Sequence, residues 1–393
     1  MRKPVVALVL VLSFFCEGQD LKFVDVSNTN LPPVSLTKRN SMDAKVGDID
    51  GDGDLDIAVA VEFVKNILLV NDGSGKFSDA SDQLPDIEAT QKEKPYPYYP
   101  YHDTEDIALK DFDNDGDLDL IFVTEDDKVN EYYLNDGKGN FKDVTDAFPA
   151  KGTSNGVVAD DFDNDGWIDV VIANNGQNVY LKNNKGKFED QTSERLPTVE
   201  NITQDMQTVD FDGDGDLDIL VANENKNNIL LNNGKGHFED VTSKYISDES
   251  LGDETREATY ADIDNDGDLD IYFANVYMFQ QRPPIQRLLI NENGKYIDKT
   301  QERLGFTDTY NTIDASFSDF DKDGDEDLLL LSFGKPLLFL NDGKGYFKDV
   351  TNTAFGTISA DGVDAEIADF NGDGKLDIFI GAFRGSDVLL LQQ

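Results

Sequence analysis

The fold is decided by one nine-residue stretch, Asp48-Ile49-Asp50-Gly51-Asp52-Gly53-Asp54-Leu55-Asp56, which recurs along the chain. Positions 1, 3, 5 and 9 of the stretch are Asp in every copy, except that Asn371 stands at position 3 of the last copy. Position 6 is Gly throughout. A repeat with a period of about fifty residues is typical of a fold built from stacked or radially arranged units. The other copies begin at Asp111, Asp161, Asp210, Asp262, Asp319 and Asp369.

Each copy has the residue types and the spacing of a calcium-binding loop. Ca²⁺ takes six to eight oxygen ligands at about 2.3–2.6 Å, and side chains at positions 1, 3, 5 and 9 with the backbone carbonyl at position 7 can surround it. Gly at position 6 allows a turn with positive φ. Without an ion, two carboxylates about 4 Å apart repel by roughly 4 kcal/mol at an effective dielectric constant near 20. A solvated acidic turn is therefore the weaker interpretation of the set, although a single loop, above all the last, can be empty.

The predicted metal ligands are positions 1, 3, 5, 7 and 9 of the copies, with up to seven Ca²⁺ as the cofactor. Position 7 is expected to supply only its carbonyl oxygen, which explains why Trp167 and Lys375 are acceptable there. The first four loops contribute Asp48, Asp50, Asp52, Asp54, Asp56, Asp111, Asp113, Asp115, Asp117, Asp119, Asp161, Asp163, Asp165, Trp167, Asp169, Asp210, Asp212, Asp214, Asp216 and Asp218. The last three contribute Asp262, Asp264, Asp266, Asp268, Asp270, Asp319, Asp321, Asp323, Asp325, Asp327, Asp369, Asn371, Asp373, Lys375 and Asp377.

Each acidic loop joins two β-strands. An EF-hand needs a Glu at position 12 and flanking helices, whereas position 12 here is apolar, as at Val59 and Phe122. The segments that follow the loops are short apolar runs such as 118–123, which are typical of buried strands. A second motif, Asn135-Asp136-Gly137-Lys138-Gly139-Asn140-Phe141-Lys142-Asp143-Val144-Thr145, recurs after the loops, and Asp-Gly between apolar runs indicates a hairpin. One repeat is therefore four antiparallel strands, A to D.

Four-stranded antiparallel units repeated radially predict an all-β fold, a seven-bladed β-propeller with essentially no helix. The seventh repeat ends where its strand C ends, and residues 21–26 resemble the strand D at 139–144. We therefore expect the N-terminal strand to complete the last blade, so that no sheet edge stays open. The predicted blades span residues 43–79, 104–145, 154–192, 204–242, 256–300, 312–351 and 362–391, the last completed by 21–26.

Residues 1–18 are predicted to be a secretory signal peptide, which leaves a single domain at 19–393. Arg2 and Lys3 precede an apolar stretch at 5–15 that is too short to span a bilayer, the order expected of such a peptide. A buried N-terminal strand and a lipoprotein acylated at Cys16 are the weaker alternatives. The expected location is therefore secreted or extracellular, where a mature chain without Cys needs other means of stabilisation than disulfides.

The composition excludes several classes of function. The chain has 393 residues, with 34 Lys and Arg against 79 Asp and Glu, a net charge of −45. Binding to nucleic acid would require a basic surface instead. One Cys and two His exclude a disulfide scaffold and make a Cys-rich or His-based metal centre improbable. No apolar run of about 18 residues follows the N-terminal segment, so no membrane span is expected.

The acidic loop together with the Asn-Gly-x-Gly-x-Phe-x-Asp-Val-Thr motif resembles the FG-GAP-like (VCBS) repeats, a family related to the integrin α-subunit propeller and to the cartilage acidic protein group. The resemblance covers about residues 21–393. It implies a seven-bladed, calcium-bound, extracellular propeller used for cell adhesion or ligand recognition. The implied partner is an extracellular glycan or a matrix or cell-surface protein.

In such a propeller the acidic loops and the C–D turns share one face, and the B–C and D–A loops share the other. Two long insertions mark the second face, and variable loops on a rigid scaffold commonly carry recognition. Prolines and tyrosines in them would offer rigid, amphipathic surface to a sugar or a peptide. The alternative is that these loops only cover the end of the propeller. The predicted ligand-binding residues are Tyr96, Tyr98, Tyr99, Tyr101, His102, Tyr277, Phe279 and Arg282.

Three classes of function remain open. The first is a calcium-stabilised adhesion or recognition module without catalysis. The second is a secreted polysaccharide lyase, in which His102 or a Tyr would abstract a proton and Arg256, Arg282 or Arg287 would neutralise a uronate carboxylate. The third is a purely structural role in calcium-dependent surface assembly.

Overall fold

The structure is a computed structural model, and it describes residues 21–87, 100–125, 129–247, 252–279, 284–306 and 311–393. The predicted signal peptide at 1–18 lies outside the described residues, and so do Tyr96, Tyr98, Tyr99 and Arg282. Within the described residues, no helix is long and apolar enough to cross a membrane.

The strands pair in antiparallel sets of four consecutive strands, in the order A to D that the repeats predict. The first set is β2 (Arg39–Gly47), β3 (Asp56–Val61), β4 (Ile67–Asn71) and β5 (Phe77–Asp79). The second is β6 (Thr104–Lys110), β7 (Asp119–Thr124), β8 (Glu131–Asn135) and β9 (Phe141–Asp143). The third is β10 (Ser154–Asp160), β11 (Asp169–Gln177), β12 (Val179–Asn183) and β13 (Phe188–Asp190).

The remaining sets follow the same pattern. The fourth set is β14 (Glu200–Val209), β15 (Asp218–Asn223), β16 (Asn228–Asn232) and β17 (Phe238–Asp240), and the fifth is β18 (Thr255–Ala261), β19 (Asp270–Asn275), β20 (Arg287–Asn291) and β21 (Tyr296–Asp298). The sixth is β22 (Asp314–Ser318), β23 (Asp327–Leu331), β25 (Leu337–Asn341) and β26 (Phe347–Asp349). The seventh is β27 (Ala360–Ala368), β28 (Asp377–Gly385), β29 (Val388–Gln392) and β1 (Phe23–Asp25), and the short β24 (Phe333–Gly334) pairs with β27.

The N-terminal strand completes the last set, as predicted. β1 pairs antiparallel with β29, with Phe23 opposite Gln392 and Asp25 opposite Leu390. The protein is thus a nearly all-β propeller of four-stranded antiparallel sheets. Since β2 also pairs with β28, and β11 with β14, neighbouring sets join into continuous sheets. The count of seven blades therefore stays a prediction.

The core lies between neighbouring sets. Strand B of each set is covered on both faces, so the residues that follow its first Asp form an apolar run, and every residue of β7 is buried. Between the second and third sets, the rings of Phe112, Tyr132, Phe148 and Phe188 pack with centroids 5.3–5.9 Å apart. Aromatic residues bury large areas in such edge-to-face contacts. These clusters fix the angle between sets and hence the positions of the loops.

A short helical turn follows each strand D, which corrects the expectation of essentially no helix. Asp240 shows the cause: its Oδ1 accepts a hydrogen bond from the Thr242 N–H at 3.0 Å, which starts the turn. The Thr242 hydroxyl accepts in turn from the Ile229 N–H of strand C at 2.9 Å. The turns are α1 (Ser27–Asn30), α2 (Thr192–Arg195), α3 (Thr242–Tyr245), α4 (Thr300–Arg303), α5 (Thr351–Phe355) and two 3₁₀ turns at Ser81–Gln83 and Thr145–Ala147.

Candidate functional site

The acidic loops connect strands A and B, and their glycines adopt the predicted backbone conformation. At position 6, φ lies between 82° and 102° in all seven loops, a region that favours Gly. Position 4 also has positive φ in every loop, and Asn is frequent there, as at Asn114 and Asn265. Two left-handed residues separated by one residue turn the chain sharply enough for alternate side chains to point to the same side.

Backbone hydrogen bonds hold the first half of each loop around its own carboxylates. In the second loop, the Asp111 carboxylate accepts from the N–H groups of Asp115 at 3.2 Å and Gly116 at 3.0 Å. Asp115 accepts from the Asp117 N–H at 3.1 Å. The bond from Gly at position 6 to Asp at position 1 recurs in every later loop. The loop is therefore organised by the same groups that would bind a cation.

The Asp at position 9 is buried and closes the loop. Asp218 Oδ1 accepts from the Asn232 N–H at 2.7 Å, and its Oδ2 accepts from the Phe211 N–H at 2.9 Å. Burial raises the pKa of Asp218 to about 6 and that of Asp270 to about 7, although the hydrogen bonds act in the opposite direction. A bound cation would favour the ionised form of these carboxyls.

In two loops the side chain at position 7 binds the neighbouring repeat. Asp216 accepts a hydrogen bond from the Asn164 amide at 3.1 Å, and Asp325 accepts from the Asn265 amide at 2.9 Å. In both pairs the donor is the position 4 residue of an adjacent loop. With the side chain engaged in this way, the group of these two residues that could bind an ion is the backbone carbonyl.

The first residue of each C–D turn connects neighbouring loops. The Asn135 amide donates to the carbonyl of Leu118 in its own loop at 3.0 Å and to the carbonyl of Ile49 in the preceding loop at 2.8 Å. The second of these bonds recurs at Asn71, Asn183, Asn232, Asn341 and Gln392. The acidic loops and the C–D turns thus form one hydrogen-bonded face.

Groups of three carboxylates converge in several of the loops and could each hold a metal ion. In the first loop these are Asp48, Asp50 and Asp56, at positions 1, 3 and 9. Other loops bring together Asp111, Asp113 and Asp115; Asp161, Asp163 and Asp165; and Asp210, Asp212 and Asp218, with ligand atoms within 4.8 Å of one another.

The third loop contains a cation of its own. Lys182 Nζ lies 2.8 Å from Asp163 Oδ1 and 2.8 Å from Asp165 Oδ2, and Arg195 Nη2 lies 3.2 Å from the other oxygen of Asp163. The Lys182 side chain is 9% exposed, so these contacts are sheltered from water. An ion entering this loop would have to displace the ammonium group.

The FG-GAP-like repeat family matches residues 111–172, 161–221, 210–273 and 319–380, which together make up more than half of the chain. Each matched segment runs from one acidic loop to the strand after the next acidic loop, so it contains the geometry just described. The chain belongs to the FG-GAP-like repeat family. No curated protein matches its sequence.

Solved structures with the same fold are distant in sequence. A lectin from Agrocybe aegerita, solved for its specific recognition of non-reducing terminal N-acetylglucosamine, is 19% identical with a TM-score of 0.51, covering 91% of this chain and 86% of the lectin. BBS1N in complex with ARL6DN is 10% identical in crystals soaked with lead and with mercury, at TM-scores of 0.53 and 0.55. The alignments cover 92% of this chain and 94% and 95% of BBS1N. Identities this low establish a likeness of fold alone.

On the opposite face of this FG-GAP-like propeller, the B–C loops expose large apolar side chains. Tyr277 is 48% exposed and Phe279 is 68% exposed. Met278 and Phe333, which the sequence did not single out, are exposed as well. Phe333 pairs with Phe383 from the next set, with ring centroids 5.8 Å apart. We call Tyr277, Met278, Phe279, Phe333 and Phe383 the apolar rim.

The other predicted ligand residues in the described part are not brought together with the apolar rim. His102 is buried, and its Nδ1 lies 2.5 Å from Glu131 Oε1. The Tyr101 hydroxyl donates to Asp86 at 2.7 Å. Arg287 pairs with Asp253 at 2.9 Å and with Asp298 at 2.6 Å.

Arg256 lies beside the apolar rim, but it is paired too. Its Nη2 is 3.0 Å from Glu254 Oε1, and its guanidinium lies over the Phe279 ring at 5.6 Å. A proton-abstracting His next to an accessible Arg is therefore not assembled from the described residues. The stacked guanidinium extends the rim with a polar edge.

The sequence reasoning missed a ring of acidic side chains around the axis of the propeller. The residue five positions before each acidic loop is acidic in six of the seven repeats, and this periodic signal could have been read from the sequence. These residues line a central cavity of about 540 Å³. We call them the axial ring: Asp43, Asp106, Asp205, Glu257, Asp314 and Asp364, with Gly156 in the place of the missing member.

A β-bulge before most ring positions aims these side chains along the inner wall. The register of β2 on β3 shifts between Ser41 and Asp43, and equivalent shifts occur in the second to fifth sets and in the seventh. Asp43 Oδ2 then accepts from the Ile107 N–H of the next set at 3.0 Å. Similar bonds join Asp106 to Val157, Asp205 to Ala258, and Asp364 to Ala44.

Burial and mutual repulsion raise the pKa values of the ring carboxyls. The pKa of Asp43 rises to about 8, and those of Asp205 and Asp314 rise to about 7, mainly because burial penalises the charged form. Lys45 is the ring's own counter-ion. Its Nζ lies 2.6 Å from Asp43 Oδ1, 3.9 Å from Asp106 Oδ1 and 3.6 Å from Glu366 Oε1.

Proposed function

We propose that this protein is a secreted, calcium-stabilised propeller that recognises an extracellular glycan or protein through the face carrying the apolar rim, and that it does so without catalysis. The observation that carries the proposal is that the two faces expose different kinds of side chain. One face consists of acidic loops suited to divalent cations, and the other exposes apolar and aromatic side chains on loops.

Calcium is the cation that fits the loops best. The ligands are hard oxygens, and the loop offers side chains at alternate positions and a backbone carbonyl, which suits the six to eight ligands of Ca²⁺. Extracellular modules bind Ca²⁺ with dissociation constants of about 10⁻⁴–10⁻³ M, so secretion and calcium binding support each other. The hydrogen bonds between adjacent loops let each occupied loop steady its neighbours.

Removal of calcium tests this half of the proposal. We expect excess EDTA to lower the melting temperature of the purified protein substantially, and added Ca²⁺ to restore it. Each loop held at ten times its dissociation constant contributes about 1.4 kcal/mol to the free energy of unfolding, because Ca²⁺ binds the folded chain preferentially. A melting curve that EDTA leaves unchanged would contradict the proposal.

Recognition through the rim is supported by the exposure of its side chains. Exposed aromatic groups held by a rigid scaffold stack on sugar rings and on peptide side chains at a low entropic cost. The Agrocybe aegerita lectin, whose fold is similar, recognises a terminal N-acetylglucosamine. Glycans are therefore the first class of ligand to test, and matrix proteins are the second.

The matching experiment compares calcium-loaded variants on glycan and matrix-protein arrays. We expect Tyr277→Ala combined with Phe279→Ala to reduce binding of any array hit by at least about tenfold, since two aromatic contacts are lost. Tyr346→Ala is the control, because Tyr346 is 44% exposed but lies in a C–D turn on the calcium face. Equal losses in both variants would show that the rim is not the recognition surface.

The lyase alternative is less well supported by the described residues. His102 is buried against Glu131, and both Arg256 and Arg287 are engaged by carboxylates. Turnover of a uronate-containing polysaccharide by the calcium-loaded protein would nevertheless replace recognition by catalysis as the proposed function.

A further inference from the structure

The axial ring carries far more negative than positive charge. Nine carboxyl groups line the cavity, those of the axial ring and of Glu105, Asp160 and Glu366, against three basic side chains, Lys45, Lys110 and Arg256. The Lys45 ammonium contacts Asp43, Asp106 and Glu366, and it attracts Glu257 and Asp314 only from beyond contact distance. The arc formed by Asp205, Glu257 and Asp314 belongs to the fourth to sixth sets.

No basic side chain among the described residues lies within 4 Å of a carboxylate in this arc. The Gln207 amide, which is neutral, donates to Glu257 at 2.9 Å. Asp314 is 7% exposed, and its Oδ2 has no hydrogen-bond partner although the side chain lines the cavity. A buried carboxylate oxygen without a partner is costly, and a donor that reaches it would recover that cost.

The basic groups at the two ends of the cavity are already paired. Lys110 Nζ lies 3.4 Å from Asp160 Oδ2, and Arg256 Nη2 lies 3.0 Å from Glu254 Oε1. Neither of them supplies a cation to the arc. The hydrogen-bonding capacity of Asp314 Oδ2 is therefore left unused by the described part of the chain.

We propose that the arc of Asp205, Glu257 and Asp314 binds the protonated amino group of an alkylamine that enters the central cavity from the apolar rim. The source is either a free polyamine or the side chain of a lysine on a partner. The protein provides a precedent on the opposite side of the ring, where the Lys45 ammonium is held by three carboxylates.

The walls of the cavity suit the alkyl part of such a ligand. Met42, Met206, Met278, Phe333 and Phe383 line the cavity together with the acidic groups. Lysine-like chains bury their methylene groups along apolar surface while the charged end seeks polar partners. A cavity of about 540 Å³ also exceeds what one bare metal ion needs, and it lies within the range of small-molecule sites.

The test measures binding of two amines to the full, calcium-saturated protein by isothermal titration calorimetry. The probes are 1,5-diaminopentane and Nα-acetyl-lysine amide, with 1,5-pentanediol as the uncharged control. We expect saturable binding of an amine and none of the diol. Tighter binding of the diamine identifies a free polyamine as the source, and tighter binding of the lysine derivative identifies a protein side chain.

Variants locate the site. Asp314→Asn removes the charge and keeps the shape, and we expect it to weaken amine binding by about tenfold or more, because hydrogen bonds to charged groups are the strong ones. Glu257→Gln should act in the same direction. Asp146→Asn is the matched control, since Asp146 is exposed and lies outside the cavity. Melting curves check that each variant is folded.

Three outcomes would overturn the proposal: no saturation by either amine up to about 10 mM, equal affinity of Asp314→Asn and the parent, or loss of one bound Ca²⁺ in Asp314→Asn without any amine binding. The last would make the arc a metal site. None of these outcomes bears on the acidic loops or the array experiment, so this inference and the proposed function fail separately.

Discussion

At the scale of one residue, the ammonium group of Lys182 occupies the third acidic loop and should compete there with calcium. We expect Lys182→Met to tighten calcium binding in this loop by about tenfold, because the ion no longer has to displace charge-assisted hydrogen bonds worth about 1.5–3 kcal/mol. A calcium titration followed by calorimetry measures the change.

Lys187→Met is the control for this substitution. Lys187 lies in the C–D turn that follows Lys182 and is exposed, so its loss removes the same charge without freeing the loop carboxylates. If the two variants bound calcium alike, the ammonium of Lys182 would have no part in setting the affinity.

At the scale of the element, we predict that the hydrogen bond between strand C and the turn after strand D stabilises the fold. Thr242 is buried, and its hydroxyl accepts from the Ile229 N–H while donating to Asp240. Thr242→Val leaves that N–H buried without a partner, so we expect the free energy of unfolding to fall by about 1–3 kcal/mol.

Chemical denaturation measures this loss, and Thr242→Ser is the control because it retains the hydroxyl. The serine variant should keep most of the stability of the parent. A valine variant as stable as the serine variant would show that the hydrogen bond is unimportant and that the Asp-x-Thr motif has another cause.

The strands and turns could be predicted from the sequence because residues within each repeat determine its local conformation. The Gly at position 6 and the Asp-Gly of the C–D turn dictate backbone conformations, and the apolar run of strand B follows from burial on both faces. The pairing of Phe23–Asp25 with the last set followed from counting strands.

What could not be predicted depends on which residues the fold brings together. Nothing near Lys182 in sequence indicates that its ammonium lies in an acidic loop. His102 is a predicted ligand residue next to Tyr101, yet it is buried and its Nδ1 lies 2.5 Å from Glu131 Oε1 on strand C of the same set. The axial ring is periodic in sequence, but its meaning appears only when the inner strands surround one cavity.

At the scale of the whole molecule, the axial ring makes stability depend on pH. The pKa values of Asp205 and Asp314 are about 7 in the folded protein, raised by burial, against about 3.9 in the unfolded chain. The folded state therefore binds more protons than the unfolded chain between these two pH values. The contribution of the two groups to the free energy of unfolding is lost as the pH rises through about 7. The charged groups that face these two are Asp43, Lys45, Asp106, Glu257, Asp364 and Glu366.

We expect Asp205→Asn combined with Asp314→Asn to raise the free energy of unfolding at about pH 8 by roughly 1–3 kcal/mol and to flatten its dependence on pH. Denaturation at several pH values with saturating calcium measures both effects. Parallel curves for the double variant and the parent would show that these two carboxyls are already ionised at no cost.

Gly156 in the third set and Lys45 in the first set make the charge around the axis uneven. A ring of identical sheets would give the same electrostatic field in every direction around the axis. A molecule bound on the axis would then have several equivalent orientations. With a gap at Gly156 and a built-in positive charge at Lys45, the field acquires a direction. Anything that enters the centre is therefore oriented by a scaffold whose backbone repeats but whose charges do not.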